Sequence, residues 1–202
     1  PTLRWVVTLG DARADGTLPY SDLQASATRD SRARLDLLAD ALQFDDPINI
    51  QFTSGTTGRP KAATLTHHNI VNNAYFTGIQ MKLTERDRMC IPVPMYHCFG
   101  MVLGVLLCAT RGAAIVFPSA GFDAAAVLDA VEAECCTALH GVPTMFIAVL
   151  EHPEVVEFDL STLRTGIMAG SPCPVEVMKR VISDLNMTEV TIAYGMTETS
   201  PV

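Results

Sequence analysis

Residues 123–151 read DAAAVLDAVEAECCTALHGVPTMFIAVLE. Two helical runs, 123–134 and 144–151, enclose a short β-prone run over 137–142, and Asp123 stands where an N-cap belongs. Short strands that alternate with helices are typical of a parallel sheet covered by helices. This stretch therefore predicts an α/β fold.

The same alternation continues on both sides of this stretch. It predicts a mostly parallel sheet flanked by helices over residues 46–202, and a partial N-terminal segment of strand, loop and helix over residues 1–45. The further predicted strands are 48–53, 88–93, 113–117, 165–169 and 190–194, and the further predicted helices are 67–77, 99–109 and 175–185. Ligands of open parallel sheets bind beyond the carboxyl ends of the strands, so the residues after each strand are the candidates for chemistry.

The composition limits the classes of partner. The chain has 202 residues, of which 49% are hydrophobic and 18% charged, and a formal net charge of -8. We therefore expect a folded protein without the basic surface that nucleic acid requires. The most apolar run, 99–110, is shorter than the roughly 20 residues of a membrane span, so no membrane insertion is expected. The first residues show no leader pattern, which favours the cytoplasm; the oligomeric state stays open.

The cysteines and histidines give no metal signature. The six cysteines form no CxxC pair, and we expect buried, reduced thiols. Four histidines lack the spacing of a ligand set, so no structural metal is expected. These residues are Cys90, Cys98, Cys108, Cys135, Cys136 and Cys173, and His67, His68, His140 and His152.

A loop rich in hydroxyls and glycine follows the predicted strand 48–53. It reads Thr53-Ser54-Gly55-Thr56-Thr57-Gly58-Arg59-Pro60-Lys61. Glycines let backbone amides converge on phosphate oxygens, the hydroxyls add donors, and Lys61 adds a positive charge. The loop is not a Walker A loop, because Arg59 and Pro60 separate Gly58 from Lys61 and Ala62 follows. A solvated surface loop is the alternative interpretation.

Three further segments follow predicted strands. Tyr194-Gly195-Met196-Thr197-Glu198 offers an aromatic face and a carboxylate, Gly170-Ser171-Pro172 lies before a helix, and segment 96–100 contains His97. A tyrosine face suits stacking, a carboxylate suits Mg²⁺, and an imidazole can orient a carboxylate. Simple surface turns are the alternative for the first two segments, and a core histidine is the alternative for His97.

The loop 53–61 resembles the phosphate-binding signature of the adenylate-forming superfamily, which includes acyl-CoA synthetases, luciferases and adenylation domains of nonribosomal peptide synthetases. Segment 194–198 resembles the family's YGxTE motif, segment 170–172 its GAP-like turn, and segment 96–100 its histidine-bearing acyl segment. Ala62 stands where the family usually has glycine, and Ser171 where it more often has alanine. The resemblance covers about residues 46–202 and identifies them as part of the large N-terminal domain of an acyl-CoA synthetase.

This resemblance implies that a carboxylic acid is activated with ATP to an acyl adenylate and then to acyl-CoA. The small molecules implied are ATP, Mg²⁺ and coenzyme A. Tyr194 is implied to lie along the adenine, Thr197 to bond the α-phosphate and Glu198 to ligate Mg²⁺. The candidate catalytic residues are Lys61, Thr197, Glu198 and His97. The candidate nucleotide-binding residues are Thr53, Ser54, Gly55, Thr56, Thr57, Gly58, Arg59, Pro60, Lys61, Gly170, Ser171, Pro172, Tyr194, Gly195, Met196 and Thr197.

The class of acid is indicated by the charge around segment 96–100. Amino-acid-activating relatives carry an aspartate there, whereas residues 90–131 contain no acidic residue except Asp123 and Asp129. A fatty or aryl acid is therefore favoured, because an ammonium group without a partner is costly in an apolar pocket. An amino-acid adenylation domain and a noncatalytic nucleotide-binding module are the alternatives. Full enzymes of the family are much longer, so the resemblance also predicts a fragment that lacks the ribose-binding aspartate and the C-terminal lysine and is inactive alone.

Overall fold

The computed structural model describes residues 4–10, 14–54 and 58–202. The chain divides into two compact units, one ending at Gln43 and the other formed by Phe44–Val202. The first unit holds a parallel strand pair and two helices, and its second helix begins with a capping box between Thr28 and Ser31. Its elements are β1 (Val7–Thr8), β2 (Leu18–Pro19), α1 (Tyr20–Ala25) and α2 (Arg29–Ala41).

The second unit alternates strands and helices along the chain. Its elements are β3 (Pro47–Thr53), β4 (Lys61–Thr66), α3 (His67–Gln80), β5 (Arg88–Cys90), a π-helix (Phe99–Leu106), α4 (Leu107–Arg111), β6 (Ala114–Val116), α5 (Ala124–Ala133), β7 (Ala138–Leu139), α6 (Pro143–Leu150), a 3₁₀ turn (Val155–Glu157), β8 (Thr165–Met168), α7 (Val175–Asp184), β9 (Glu189–Ile192) and a second 3₁₀ turn (Thr197–Thr199). Five strands form a parallel sheet in the order β6-β5-β7-β8-β9. The predicted fold class is confirmed.

Both faces of this sheet are covered by helices. Met89 of β5 and Ile167 of β8 belong to the core shared with α3, the π-helix and α4. Their neighbours Cys90 and Met168 belong to the core shared with α5, α6 and α7, because alternate side chains of a strand point to opposite faces. The chain leaves β5 toward the first face and β7 toward the second, which opens a crevice at their carboxyl ends.

Strand β3 lies outside the parallel sheet, so the predicted place of strand 48–53 in that sheet is wrong. It forms an antiparallel pair with β4, in which Thr53 stands opposite Lys61. The sequence did not indicate β4 because its first residues, Lys-Ala-Ala, have little strand propensity. Lys61 therefore begins a strand as well as ending the glycine-rich loop.

The predicted helix over 99–109 is a π-helix followed by the short α4. The N–H of Leu107 donates to the carbonyls of Val102 and Gly104, whereas in an α-helix its acceptor would be the carbonyl of Leu103. The helix ends at Gly112, whose φ of 71° places it in the left-handed region. An apolar run of this kind indicates a buried helix but not its pitch.

A buried histidine joins the π-helix to the sheet. His140 directly follows β7 and has no exposed surface. Its Nε2 donates to the carbonyl of Leu103 at 2.8 Å, and its Nδ1 accepts the N–H of Ile167 at 3.1 Å. These roles require the neutral ring with its proton on Nε2. Burial lowers the pKa of His140 to about 4, against the opposing effect of the Leu103 carbonyl.

The cysteines are all free thiols. Cys90, Cys98, Cys108 and Cys136 are buried, as expected, whereas the expectation is wrong for Cys135, which is exposed. Cys135 has a φ of 48° just after α5, so the chain turns there and carries its side chain out of the core.

We predict that His140 makes the protein less stable in mild acid. The unfolded imidazole binds a proton near pH 6.5 and the folded one only near pH 4. This contribution to stability is complete above pH 6.5 and is lost as the pH falls toward 4, amounting to about 3 kcal/mol. Urea unfolding of wild type and His140→Gln at several pH values measures it. The stability difference between the two proteins should shrink as the pH falls, and a constant difference would contradict the prediction.

Candidate active site

Segments far apart in sequence line one cleft of about 560 Å³. The cleft lies at the carboxyl ends of β5, β8 and β9, and the loop end of the β3–β4 hairpin forms another part of its wall. Its lining residues are 51–54, Lys61, 96–99, Leu103, 169–170, Ala193, 195–198, Pro201 and Val202. Each of the four motifs that the sequence singled out contributes residues to this wall.

The first and last motifs meet directly across the cleft. Thr53 Oγ1 donates to Glu198 Oε1 at 3.4 Å, although 145 positions separate the two residues. Lys61, which pairs with Thr53 in the hairpin, lines the same cleft. One wall therefore combines a hydroxyl, a carboxylate and an ammonium group.

The remaining residues of the glycine-rich loop differ in whether they line the cleft. Ser54 lines the cleft. Gly58, Arg59 and Pro60 are exposed and lie outside the cleft wall, and Gly58 has a φ of 82° that favours glycine. The other three candidates of the loop, Gly55, Thr56 and Thr57, lie outside the described residues.

A tight turn after β9 presents Thr197 and Glu198 to the cleft. The N–H of Met196 donates to the carbonyl of Pro201 at 2.8 Å, which closes the chain around the short 3₁₀ turn. A Cβ atom on Gly195 would overlap that same carbonyl oxygen. The turn can therefore form only with glycine at position 195.

Tyr194 and two residues of the 170–172 turn lie outside the cleft wall, next to residues that line it. Tyr194 is 88% exposed and precedes the lining residue Gly195, so its ring offers an open aromatic face. Gly170 lines the cleft with a φ of 88°. Ser171 and Pro172 are exposed and lie outside the wall.

His97 is exposed and lines the cleft, so it is not a core histidine. Its Nδ1 accepts the N–H of Phe99 at 3.0 Å, which makes Nε2 the donor of the neutral ring. The neighbouring Cys98 is buried, with its Sγ 3.6 Å from Thr197 Oγ1. Burial raises the pKa of this thiol, despite a hydrogen bond with Thr197 that lowers it, and the group stays protonated near neutral pH.

Several lining residues were not singled out by sequence reasoning. Gln51 shares a face of β3 with Thr53, and the two-residue period of a strand is the signal that could have found it. Leu103 depends on the π-helix, and Pro201 on the closure of the turn around Gly195. Neither of these arrangements has a local sequence signal.

The charged groups of the cleft are few. No group of three or more His, Cys, Asp and Glu side chains that could hold a metal ion occurs among residues 4–10, 14–54 and 58–202.

In the same described part of the chain, no helix combines the length and the apolar character needed to cross a membrane.

Comparison with known proteins gives a consistent match. A family model described as AMP-binding enzyme matches residues 5–202. The chain is 49% identical over 204 residues to the mitochondrial medium-chain acyl-CoA ligase ACSF2 of Danio rerio, with 100% of this chain and 34% of that protein covered. It is 58% identical over 160 residues to the acyl-CoA ligase sidI of Aspergillus fumigatus, with 79% of this chain and 27% of that protein covered.

A solved structure agrees in fold. ATP-bound MatB from Rhodopseudomonas palustris superposes with a TM-score of 0.68 at 28% identity, over 79% of this chain and 31% of that chain. The chain spans about a third of the length of the curated relatives that it matches.

We predict that Gly195→Ala disrupts the turn after β9. The added methyl group overlaps the Pro201 carbonyl, and such overpacking costs about 1–3 kcal/mol. Chemical unfolding of the variant should show a loss of this size. Gly121→Ala is the matched control, because a Cβ there meets nothing within 4 Å, and equal losses in the two variants would contradict the role given to Gly195.

Proposed function

We propose, because this chain belongs to the AMP-binding enzyme family, that the protein containing it is an acyl-CoA synthetase. It converts a carboxylic acid and ATP into an acyl adenylate and pyrophosphate, and then transfers the acyl group to coenzyme A. The observation that carries the proposal is the meeting of Thr53 and Glu198 in the cleft that Lys61 also lines. A hydroxyl, a carboxylate and a cation suit a triphosphate and its metal ion.

The reaction consists of two displacements. An oxygen of the substrate carboxylate attacks the α-phosphorus of ATP, and the bond from that phosphorus to pyrophosphate breaks. The sulfur of coenzyme A then attacks the acyl carbon, AMP leaves with the electrons of the carbon–oxygen bond, and the thiol proton passes to solvent. Repulsion between two anions opposes the first step, and positive charge near the phosphorus reduces it. Lys61 can supply this positive charge, because it lines the cleft as the first residue of β4.

The nucleotide is assigned to two regions of the cleft. Hydroxyls and amides of the β3–β4 loop are proposed to bind the phosphates, and Thr197 the α-phosphate. The exposed ring of Tyr194 supports a stacking role against adenine. The full set of proposed nucleotide-binding residues is Thr53, Ser54, Gly55, Thr56, Thr57, Gly58, Arg59, Pro60, Lys61, Gly170, Ser171, Pro172, Tyr194, Gly195, Met196 and Thr197.

Mg²⁺ is proposed to bind through Glu198. The ion prefers oxygen ligands and usually retains several waters, and the Glu198 carboxylate with the nearby Thr53 hydroxyl offers such oxygens. When bound, it would supply positive charge that offsets the repulsion between the reacting anions. The described residues provide no larger ligand cluster, so its remaining ligands would come from phosphate and water.

The acid is proposed to bind beside His97 with an uncharged, fatty tail. Nε2 of His97 is the ring's donor and suits a carboxylate oxygen. Phe99, Leu103, Pro201 and Val202 give the cleft an apolar lining. The name of the Danio rerio relative, a medium-chain acyl-CoA ligase, agrees with a fatty acid as substrate.

Two further proposals concern organisation and compartment. We propose that residues 46–202 form the AMP-binding core and that residues 1–45 belong to a separate N-terminal segment. We also propose the cytoplasm as the location, since the six cysteines are free and free thiols are typical of a reducing compartment. Recovery of the protein from mitochondria, as in the name of the Danio rerio relative, would contradict this location.

A pyrophosphate-exchange assay on the full-length protein tests the function. We expect exchange of labelled pyrophosphate into ATP with saturated fatty acids, and acyl-CoA formation when coenzyme A is added. Exchange with amino acids alone would replace the proposal with an amino-acid adenylation domain. Binding of Mg-ATP without any exchange would leave a noncatalytic nucleotide-binding module.

Within that assay we predict that Glu198→Gln lowers exchange on the order of 100-fold, the usual effect of removing one group that stabilises a transition state. The loss should be partly relieved by raising the Mg²⁺ concentration if the carboxylate holds the ion. Glu176→Gln is the matched control, because Glu176 lies on the exposed surface of α7 and pairs only with Lys179 among the ion pairs of the described residues. An active Glu198→Gln enzyme would contradict the role of Glu198.

A further inference from the structure

His140 is a buried polar residue of the second unit that the proposed chemistry does not use. It is fully buried between the sheet and the π-helix, and it makes one hydrogen bond to each. The N–H of Ile167 donates to Nδ1 of His140. In a regular β7–β8 ladder, a backbone carbonyl of β7 would accept this N–H. The Leu103 carbonyl accepts from Nε2 of His140. A single imidazole therefore satisfies a strand donor and a helix acceptor at the same time.

The Leu103 carbonyl lies within the wide turn of the π-helix. The N–H of Leu107 donates to the carbonyls of Val102 and Gly104, so it does not use the carbonyl of Leu103, which would be its acceptor in an α-helix. The imidazole Nε2–H donates to this carbonyl in place of that N–H. His140 thereby favours the π-helix over the α-helical arrangement, in which the Leu107 N–H would donate to this carbonyl.

The π-helix in turn shapes the cleft. Phe99 and Leu103, one turn apart on the π-helix, both line the cleft, and the Phe99 ring lies 5.3 Å from the His140 ring between centroids. The π-helix packs closely on Ile91, the residue after β5, because a Cβ atom on Gly104 would lie 3.0 Å from the Ile91 side chain. A change from π to α pitch removes residues from each turn and rotates these side chains relative to the cleft.

We propose that His140 is a positioning residue that determines which acyl groups the cleft accepts, by holding Leu103 and Phe99 in the π-helical turn. This inference rests on the proposed function, because it concerns the acyl end of the same cleft. In this proposal, His140 does not contact the substrate. Its effect passes through the hydrogen bond to Leu103, and its hydrogen bond to Ile167 serves the sheet.

Two variants separate these hydrogen bonds. The oxygen of Asn reaches about as far as Nδ1, so His140→Asn keeps an acceptor for Ile167 and loses the donor to Leu103. The amide nitrogen of Gln reaches about as far as Nε2, so His140→Gln keeps the donor to Leu103 and loses the acceptor. Both variants are uncharged and each loses one buried hydrogen bond, so their losses of stability should be similar.

The experiment measures kcat/KM of the full-length wild type and both variants with saturated acids of increasing length, from butanoate to dodecanoate. We expect His140→Asn to change the ratio of kcat/KM between long and short acids at least about tenfold, mainly through KM, and His140→Gln to keep it within about threefold. Urea unfolding of each variant accompanies the assay. Equal ratio changes in the two variants, or no change in either, would overturn the inference.

A third variant, in the π-helix itself, and a binding measurement complete the test. In Gly100→Ala the added methyl group would lie 2.4 Å from the backbone carbonyl oxygen of Pro94, so the π-helix must move without any change at His140, and the ratio should also shift if His140→Asn does not fold. An unchanged ratio in that variant would overturn the inference. If wild type shows no exchange with any acid, the proposed function fails. The His140 inference is then decided by the ratio of Kd values for the same acids from calorimetry, and a wild type that binds none of them rejects both.

Discussion

Burial of both faces of the parallel sheet is the constraint on which the rest of the second unit depends. A strand whose alternate side chains enter two different cores cannot slip by one residue without exchanging them. Met89 and Cys90 in β5, and Ile167 and Met168 in β8, are fixed in this way. With the register fixed, the carboxyl ends of the strands meet at one edge, and the turns that follow them form the cleft.

The sequence predicted those features whose cause is local. Short β-prone runs that alternate with helical runs identified the parallel strands and their covering helices. The glycine- and hydroxyl-rich loop and the acidic turn, which follow predicted strands and resemble family motifs, indicated both ends of the cleft. The β4 strand could not be identified in this way, because its pairing with β3 compensates for weak strand propensity. The π-helix and His140 were also beyond local reasoning. Their hydrogen bonds join Leu103 to a residue 37 positions away.

The cleft places one lysine and one glutamate in its wall, in a protein that is acidic overall. With a formal net charge of -8, the surface as a whole offers little attraction to a triphosphate. Attraction must therefore come from groups close to the ligand. Lys61 lies in the same wall as the Thr53–Glu198 contact, and a divalent cation at Glu198 would turn the acidic end of that wall from repulsive to attractive.

Pairing of Thr53 with Lys61 ties together the two ends of the segment between them. The backbone at Lys61 is held by the strand ladder before any nucleotide arrives, so this backbone loses little conformational entropy on binding. Under the proposed function, free energy gained from phosphate contacts of Lys61 is therefore retained as affinity to a larger extent than it would be if the backbone at Lys61 were not paired.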